Sequence, residues 1–264
     1  MGARAAEPEA VAFDSLDGTP LQAWVYRPEG PPRGAVVALH GCGGLYARAG
    51  ARAGRLNPRH HAMGEWLQAR GYLAVFPDSL RPRGIDSLCA QKFAERRIDP
   101  GGRRADAQAA MAWAAGQPGS DANRIALLGW SHGGSTLLAT TNANREEVRR
   151  HPVQPRVAVG FYPGCGASLR AGYRAAVPLV LMLGELDDWT PPGPCVELGQ
   201  AVGAEVHVFP GSYHDFDTPV GRVVLRTDIP NGLRPEMGVH TGPNPAAREA
   251  AYRRLAEVLD TALR

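Results

Sequence analysis

The chain has 264 residues, of which 44% are hydrophobic, and this content is enough to bury one sizeable core. Its 29 basic and 26 acidic residues leave a formal charge of +3 that is spread along the chain, which argues against a nucleic-acid-binding protein. No apolar run approaches the roughly 18 to 20 residues that a membrane helix requires, so we expect no membrane association.

The start of the chain carries no intact signal peptide, but Ala3 and Ala5 have the small-x-small spacing that precedes a signal cleavage site. This spacing favours a trimmed export signal and a periplasmic or secreted protein. The alternative is an alanine-rich start of a cytoplasmic protein. We therefore expect residues 1–10 to be disordered or a signal remnant, and residues 11–264 to form one domain.

Short apolar runs and amphipathic stretches alternate along the rest of the chain. After a half-exposed strand at 21–27, buried strands are predicted at 35–39, 72–76, 125–128, 157–161, 177–183 and 206–209. Helices are predicted at 61–70, 103–115, 132–141, 194–202 and 246–263. This alternation predicts an α/β fold with a mostly parallel sheet and helices on both faces.

The segment 217–245 differs from the rest because it carries five prolines, scattered glycines and little periodicity. We expect a long ordered loop there. Such loops often shape binding sites, and a solvent-exposed connection is the alternative.

The sequence Gly129-Trp130-Ser131-His132-Gly133 lies between a predicted buried strand and a predicted helix. Strand, sharp turn and helix together are typical of a nucleophile elbow, in which two glycines make room for a strained serine. An ordinary tight turn is the alternative. We predict that Ser131 stands at the tip of the sheet as a nucleophile.

A serine nucleophile needs a histidine that accepts its proton and a carboxylate that orients the histidine. Asp187 follows one of the later strands, and His214 follows the last strand in a Gly/Ser/Tyr loop. Serine, acid and histidine in that order are typical of α/β-hydrolases. Asp188 and Glu185 are the alternative acids, and we favour Asp187 because it stands three residues before a Thr-Pro pair.

The glycine-rich stretch 40–44 follows the strand at 35–39. In acyl transfer, main-chain N–H groups must bind the oxyanion of the tetrahedral intermediate. By position, these groups belong to Cys42 and to His132, the residue after the nucleophile. We assign His40 a structural role at the end of the strand.

Four cysteines are present, at 42, 89, 165 and 195, and none has the Cys-x-x-Cys spacing of a structural zinc site. Each follows a predicted strand, where loops cluster at one edge of a parallel sheet. Disulfides between Cys42 and Cys89 and between Cys165 and Cys195 are one interpretation. Buried free thiols are the other.

Several of these motifs together resemble the dienelactone hydrolase family of the α/β-hydrolase superfamily, over residues 11 to 263. The motifs are His40-Gly41-Cys42-Gly43-Gly44, Pro77-Asp78-Ser79, Gly129-Trp130-Ser131-His132-Gly133-Gly134, Gly184-Glu185-Leu186-Asp187 and Tyr213-His214-Asp215-Phe216. The resemblance implies a nucleophile at 131, an acid at 187 and a base at 214. It also implies one departure, because the family's nucleophile is a cysteine and this chain has a serine.

The resemblance places Arg81 and Arg83 in the family's pocket loop, where they are candidates for binding a substrate carboxylate, with a solvated pair as the alternative. Aromatic side chains near the same edge are candidates for a pocket wall, with a place in the core as the alternative for Trp130. The candidate pocket residues are Tyr46, Arg81, Trp130, Tyr162 and Trp189.

We therefore expect a serine esterase that cleaves small carboxylic esters through an acyl-enzyme. No glycine-rich phosphate loop or metal-ligand spacing is present, so we expect no cofactor and no metal. A peptidase or an acyltransferase on the same triad is the first alternative, and a non-catalytic binding protein on a hydrolase fold is the second. We expect a monomer or a homodimer with a small-molecule substrate and no nucleic-acid partner.

Overall fold

A computed structural model describes residues 8–48, residue 50 and residues 53–264. The export signal expected around Ala3 and Ala5 lies outside the described residues. Within them, no helix combines the length and the apolar character needed to cross a membrane.

Eight of the strands in the described part of the chain form one sheet, and two more form a small separate sheet. The strands are β1 Glu9–Asp14, β2 Pro20–Tyr26, β3 Gly34–Leu39, β4 Tyr72–Pro77, β5 Ile125–Trp130, β6 Val157–Phe161, β7 Leu179–Gly184, β8 Glu205–Phe209, β9 Val224–Arg226 and β10 Val239–Thr241. The helices are α1 Pro58–Gln68, α2 Arg103–Ala115, α3 His132–Thr140, α4 Glu146–Arg149, α5 Gly166–Arg170, α6 Gly193–Val202 and α7 Pro245–Ala262. Single 3₁₀ turns cover Arg81–Arg83, Phe93–Glu95 and Pro235–Met237.

The large sheet has the strand order β1-β2-β4-β3-β5-β6-β7-β8. The pairs that involve β2 are antiparallel, and all other pairs in this sheet are parallel. The mostly parallel α/β architecture predicted from the sequence is confirmed. Because the parallel strands end at one edge, the loops that follow β3, β5, β6, β7 and β8 come together there.

The two faces of the sheet are buried by different helices. In β5, Ala126 and Leu128 belong to a core cluster that includes α1 and α7, whereas Ile125 and Leu127 belong to one that includes α2, α3 and α6. Both faces of the sheet are therefore buried. This explains why the strand sequences are continuous apolar runs and do not alternate between apolar and polar residues.

The strand β1 was not predicted, and it includes residues 9 and 10, which we had expected to lie outside the domain. It pairs only with β2, at the antiparallel end of the sheet. All six of its residues are exposed or half-buried, and the two half-buried apolar ones, Val11 and Phe13, pack against the core. A short strand with so little buried apolar surface leaves only a weak pattern in the sequence.

The segment between His214 and α7 was expected to be a loop, but it contains the antiparallel pair of β9 and β10. The end of this segment also contacts His214, the residue after which the segment begins. Thr241 forms an isolated bridge with His214, and the N–H of Gly242 donates to the carbonyl of His214 at 2.9 Å. We call residues 215–244 the excursion.

Replacing Gly133 by alanine tests the close packing between β3 and the start of α3. A Cβ atom at Gly133 would lie 2.0 Å from the carbonyl oxygen of Leu39. Because that oxygen belongs to the main chain of a central strand, we expect Gly133→Ala to lower the free energy of unfolding by about 3 kcal/mol or more. Urea unfolding followed by circular dichroism measures the change.

The matched control is Gly193→Ala, at the start of α6, where an added Cβ would have no atom within 4 Å. We expect a change within about 0.5 kcal/mol there. Equal stabilities of the two variants would contradict the described packing.

Candidate active site

Ser131 occupies the turn between β5 and α3, with φ at 51° and ψ at −115°. A residue other than glycine is strained in this backbone conformation. The residues on either side must also be small enough to leave room for the turn. A Cβ atom at Gly129 would lie 2.4 Å from the carbonyl oxygen of Gly133, and neither position accepts a larger residue. The turn therefore has the geometry of the predicted nucleophile elbow.

His214 and Asp187 form a buried pair at the same edge of the sheet. His214 Nδ1 lies 2.8 Å from Asp187 Oδ2, and each side chain is only 1% exposed. Asp187 Oδ1 accepts the main-chain N–H groups of Trp189 and Thr190 at 2.9 and 2.8 Å. The carboxylate is thus fixed by its own turn, and it holds the imidazole in one orientation.

The contact with Asp187 decides the protonation of His214. An ionised carboxylate only accepts hydrogen bonds, so Nδ1 carries the proton and Nε2 keeps its lone pair. Burial by itself lowers the pKa of His214, but the charge of Asp187 and the hydrogen bond to it outweigh burial and hold this pKa above its ordinary value. The ring is therefore equipped to accept a proton at Nε2.

The other two candidate acids have different partners. Asp188 Oδ2 lies 2.7 Å from Nδ1 of His240, and Asp188 Oδ1 accepts the main-chain N–H of the same residue at 2.8 Å. Glu185 accepts the N–H of Gly211 at 2.9 Å. Among these acids, Asp187 is the one whose carboxylate contacts His214.

The end of β6 lies between the serine and the histidine. The N–H of Ser131 donates to the carbonyl of Phe161 at 2.9 Å. The next residue, Tyr162, places its ring centroid 4.5 Å from that of His214. The elbow and the buried acid–histidine pair are therefore joined through two consecutive residues of one strand end.

The loop after β3 lies against the elbow. A Cβ atom at Gly41 would be 3.6 Å from Cβ of Ser131, so the main chain before Cys42 passes beside the serine. His132 is the first residue of α3, and N–H groups in the first turn of a helix have no partner within the helix. The two predicted oxyanion donors thus lie on the two chain segments that flank Ser131.

The four cysteines form the two disulfides of the first interpretation, Cys42–Cys89 and Cys165–Cys195. The first joins the loop after β3 to the loop after β4. The N–H of Leu88 strengthens the same junction by donating to the carbonyl of Cys42 at 2.8 Å. Cys42 is therefore held from outside its own loop.

Three described residues other than glycine have positive φ values: the elbow serine, the tyrosine that packs on the His214 ring, and the residue that follows His214. They are Ser131 at 51°, Tyr162 at 38° and Asp215 at 64°. Strained backbone persists only where surrounding contacts hold it, and it concentrates at functional sites.

One guanidinium supplies part of that support. Arg59 Nη1 donates to the Tyr162 hydroxyl at 2.5 Å and lies 2.8 Å from Asp215 Oδ1. The Tyr162 hydroxyl in turn donates to Asp217 at 2.5 Å, and Trp130 Nε1 donates to the same carboxylate at 2.8 Å. Burial raises the pKa of Asp217, whereas at Asp215 the effect of burial is outweighed by Arg59 and the pKa is lowered.

This network was not found from the sequence. Arg59 is in the first turn of α1, more than 100 residues from Tyr162, and no local spacing connects them. The acidic residues 215 and 217 are visible only as neighbours of the predicted histidine.

The candidate pocket residues occupy three different places. Tyr162 and Trp189 lie against the His214 ring, with centroid distances of 4.5 and 4.7 Å. Trp130 has no exposed surface and belongs to the core, so its predicted place in a pocket wall was wrong. The reason is that the last residue of β5 points into the layer between the sheet and α1, where it packs on His60.

Tyr46 and Arg81 line a separate cavity of about 340 Å³ beside Gly43 and Gly44, and the lining of this cavity includes neither Ser131 nor His214. The Arg81 guanidinium stacks on the Tyr46 ring at 3.4 Å. Arg83 is engaged by Asp106 through two contacts of 2.9 Å, so it is not available to bind a substrate carboxylate.

Within the part of the chain that the structure describes, no group of three or more His, Cys, Asp or Glu side chains is arranged to hold a metal ion. What the site offers instead is a strained serine, a buried acid–histidine pair and main-chain N–H groups. That set of groups suits acyl transfer.

The strand order, the elbow and the order of serine, acid and histidine along the chain define an α/β-hydrolase. The model of the dienelactone hydrolase family matches residues 21–263. The chain belongs to this family, and with it to the hydrolases. No curated protein sequence matches the chain.

Solved structures with the same fold include esterases. Esterase 2 of Thermogutta terrifontis, phosphorylated by paraoxon, is 18% identical with a TM-score of 0.65, and the match covers 97% of this chain and 95% of that one. The same esterase with bound butyrate is 18% identical with a TM-score of 0.62, over 95% and 94% of the two chains. A dienelactone hydrolase-like promiscuous phosphotriesterase from metagenomic libraries is 19% identical with a TM-score of 0.65, over 97% and 99%.

Replacing Asp187 separates the two effects that act on the pKa of His214. In the wild type we expect this pKa to lie above the ordinary value of about 6.5. Asp187→Asn removes the carboxylate but not the effect of burial, so the pKa of His214 should fall below that value. The other two charges beside the ring, Asp215 and Arg59, act on this pKa in opposite directions. NMR titration of the histidine ring measures both values.

Asp188→Asn is the matched control, because it removes a neighbouring carboxylate that pairs with His240. The pKa of His214 should stay near its wild-type value in this variant. A fall in the control equal to that in Asp187→Asn would contradict the assignment of Asp187.

Proposed function

We propose that the protein is a serine esterase that cleaves small carboxylic esters through an acyl-enzyme on Ser131. The observation that carries the proposal is the strained serine elbow, joined through the end of β6 to the buried pair of His214 and Asp187. In the mechanism, His214 Nε2 takes the proton of the Ser131 hydroxyl, and the oxygen attacks the acyl carbon. Asp187 keeps the imidazole in the required tautomer and stabilises it when it becomes an imidazolium.

The first intermediate is tetrahedral and carries an oxyanion. The N–H groups of Cys42 and His132 donate to this oxygen, which stabilises negative charge that is absent from the substrate. His214 then protonates the leaving alcohol, and the acyl group stays on Ser131. A water molecule, activated by the same histidine, releases the acid and restores the serine.

The state of the cysteines supports serine over cysteine as the nucleophile. The chain has four cysteines, and all of them are paired in disulfides. A thiolate, the nucleophile that the family resemblance implies, is therefore not offered by any of them. Thermogutta terrifontis esterase 2, with its bound butyrate and its reaction with paraoxon, supports esters and organophosphates as probes for this chain.

The decisive test is covalent labelling with a fluorophosphonate, followed by intact-mass spectrometry. We expect one adduct on the wild type and none on Ser131→Ala. Hydrolysis of p-nitrophenyl butyrate should fall by at least about a thousandfold in the same variant, because loss of a triad nucleophile costs several orders of magnitude.

Ser135→Ala is the matched control, because Ser135 lies one turn further along α3 and contacts Gly164. Labelling should persist in this variant. An unlabelled wild type would support the non-catalytic alternative, and transfer of the acyl group to an added alcohol or amine in preference to water would support an acyltransferase.

Removing each disulfide in turn tests the role of Cys42. The disulfides close segments of 47 and 30 residues, so each double variant, Cys42→Ala/Cys89→Ala and Cys165→Ala/Cys195→Ala, should lose about 4 kcal/mol of stability. Only the first frees a residue that donates to the oxyanion, so we expect only the first to lower kcat, by roughly 10- to 100-fold. Thermal unfolding and steady-state kinetics provide the two readings, and an equal kcat in the two double variants would contradict the role of Cys42.

We propose further that the chain works in an oxidising compartment, the periplasm or the exterior of the cell. The two disulfides support this proposal, because such bonds persist in oxidising environments and are rare where glutathione keeps thiols reduced. A count of free thiols in protein isolated from its native compartment tests it, with none expected.

A further inference from the structure

A second buried histidine lies directly beside the nucleophile and takes no part in the proton transfers described above. His132 follows Ser131, and its side chain is buried. Its Nδ1 lies 2.8 Å from Nη1 of Arg103, the first residue of α2, which has no exposed surface. The proposed oxyanion donor therefore carries a side chain that is bound to a buried cation.

This contact has only one possible arrangement of protons. A guanidinium has five N–H donors and no acceptor, so Arg103 donates and His132 Nδ1 accepts. A nitrogen that accepts carries no proton, which means that the ring is neutral and that its proton is on Nε2. No described residue forms a hydrogen bond with that Nε2, so nothing there favours the other tautomer.

His40, on the other side of the elbow, is fixed in the opposite tautomer. Its Nδ1 lies 2.7 Å from the carbonyl oxygen of Gly41, which only accepts, so Nδ1 carries the proton. Its Nε2 accepts the main-chain N–H of Ser79 at 3.2 Å. This nitrogen is therefore occupied, and His40 is not available as a base.

We propose that Arg103 is a positioning residue that holds His132 in the neutral, Nε2-protonated form. Of His40, His132 and His214, only His214 then presents a basic nitrogen. A fourth buried ring, His60, lies in α1 and packs on Trp130. The positive charge next to His132 is therefore that of the Arg103 guanidinium, which stays charged near neutral pH. If the His132 imidazole itself carried the charge, the charge would be lost as the pH rises through its pKa.

The charges around the pair agree with this arrangement. Burial lowers the pKa of His132 well below its ordinary value, and the guanidiniums of Arg103 and Arg96, the charged groups that face it, lower it further. Burial also lowers the pKa of Arg103, to about 10, so this residue still carries its charge at neutral pH.

Nitrogen-15 NMR of the histidine rings tests the assignment directly, because two-bond correlations distinguish the tautomers. In the wild type we expect His132 with Nδ1 unprotonated and Nε2 protonated, unchanged between about pH 5.5 and 8.5. His40 should show the reverse pattern and serves as an internal reference. A protonated Nδ1 in His132, or a ring that titrates in this range, would overturn the proposal.

Substitution of the arginine provides the second reading. Arg103→Met should release His132 into a mixture of tautomers, and Arg103→Lys, which keeps a charged donor, should restore the wild-type pattern. Arg83→Met is the matched control, because Arg83 is bound to Asp106 in α2 and has no hydrogen bond to His132. If Arg103→Met does not fold, the spectra of the wild type and of Arg103→Lys still show which tautomer His132 adopts.

The pH dependence of fluorophosphonate labelling gives a reading that a purely structural role would not change. The wild type should show one inflection, from His214, whereas Arg103→Met should be about tenfold slower and show a second inflection on the acid side. A single inflection at the wild-type pH in Arg103→Met would contradict the proposal. The catalytic role of Arg103 rests on the proposed esterase function, whereas the tautomer assignment of His132 does not. An unlabelled wild type would contradict the catalytic role. The NMR spectra would still decide the tautomer of His132.

Discussion

The candidate site depends on two places where main chains approach so closely that no side chain fits between them. At the elbow, a Cβ atom on Gly133 would lie 2.0 Å from the carbonyl of Leu39. At the end of β7, a Cβ atom on Gly184 would lie 2.5 Å from the carbonyl of Ser212. At the first place, the turn that carries Ser131 packs against the end of β3. At the second, the turn before Asp187 packs against the loop that carries His214. Because both approaches are between backbones, the positions of the reacting groups are set by rigid elements of the sheet.

Much of this arrangement could be predicted from the sequence, because it follows from local patterns and one topological rule. Continuous apolar runs mark strands buried on both faces, and the central strands were found within one or two residues. Parallel strands end at one edge, so residues that follow different strands meet there. This rule brought Asp187 and His214 together, and it placed the four cysteines at the same edge. It did not choose between disulfides and free thiols, and the structure has the disulfides Cys42–Cys89 and Cys165–Cys195.

The rest could not be predicted, because it depends on contacts between distant segments. Arg59 reaches Tyr162, and Arg103 reaches His132, across separations that leave no periodic trace. Tyr46 was placed near the site by the edge rule and Arg81 by the family resemblance, but neither argument says on which side of the glycine-rich loop a side chain lies. The strand β1 was missed because it buries too little apolar surface to leave a pattern.

The path of the excursion has a consequence for how the protein can diversify. Residues 215–244 leave from His214 and return to it, through the bridge to Thr241 and the hydrogen bond from Gly242. Asp188 fastens the returning strand a second time by binding His240. An insertion among the exposed residues 219–222 of the excursion therefore changes the surface of the protein while Asp215, Asp217 and the chain between the histidine and the sheet stay as they are. Since lengthening a loop costs little free energy, relatives could acquire new substrate preferences here while the reacting groups stay in place.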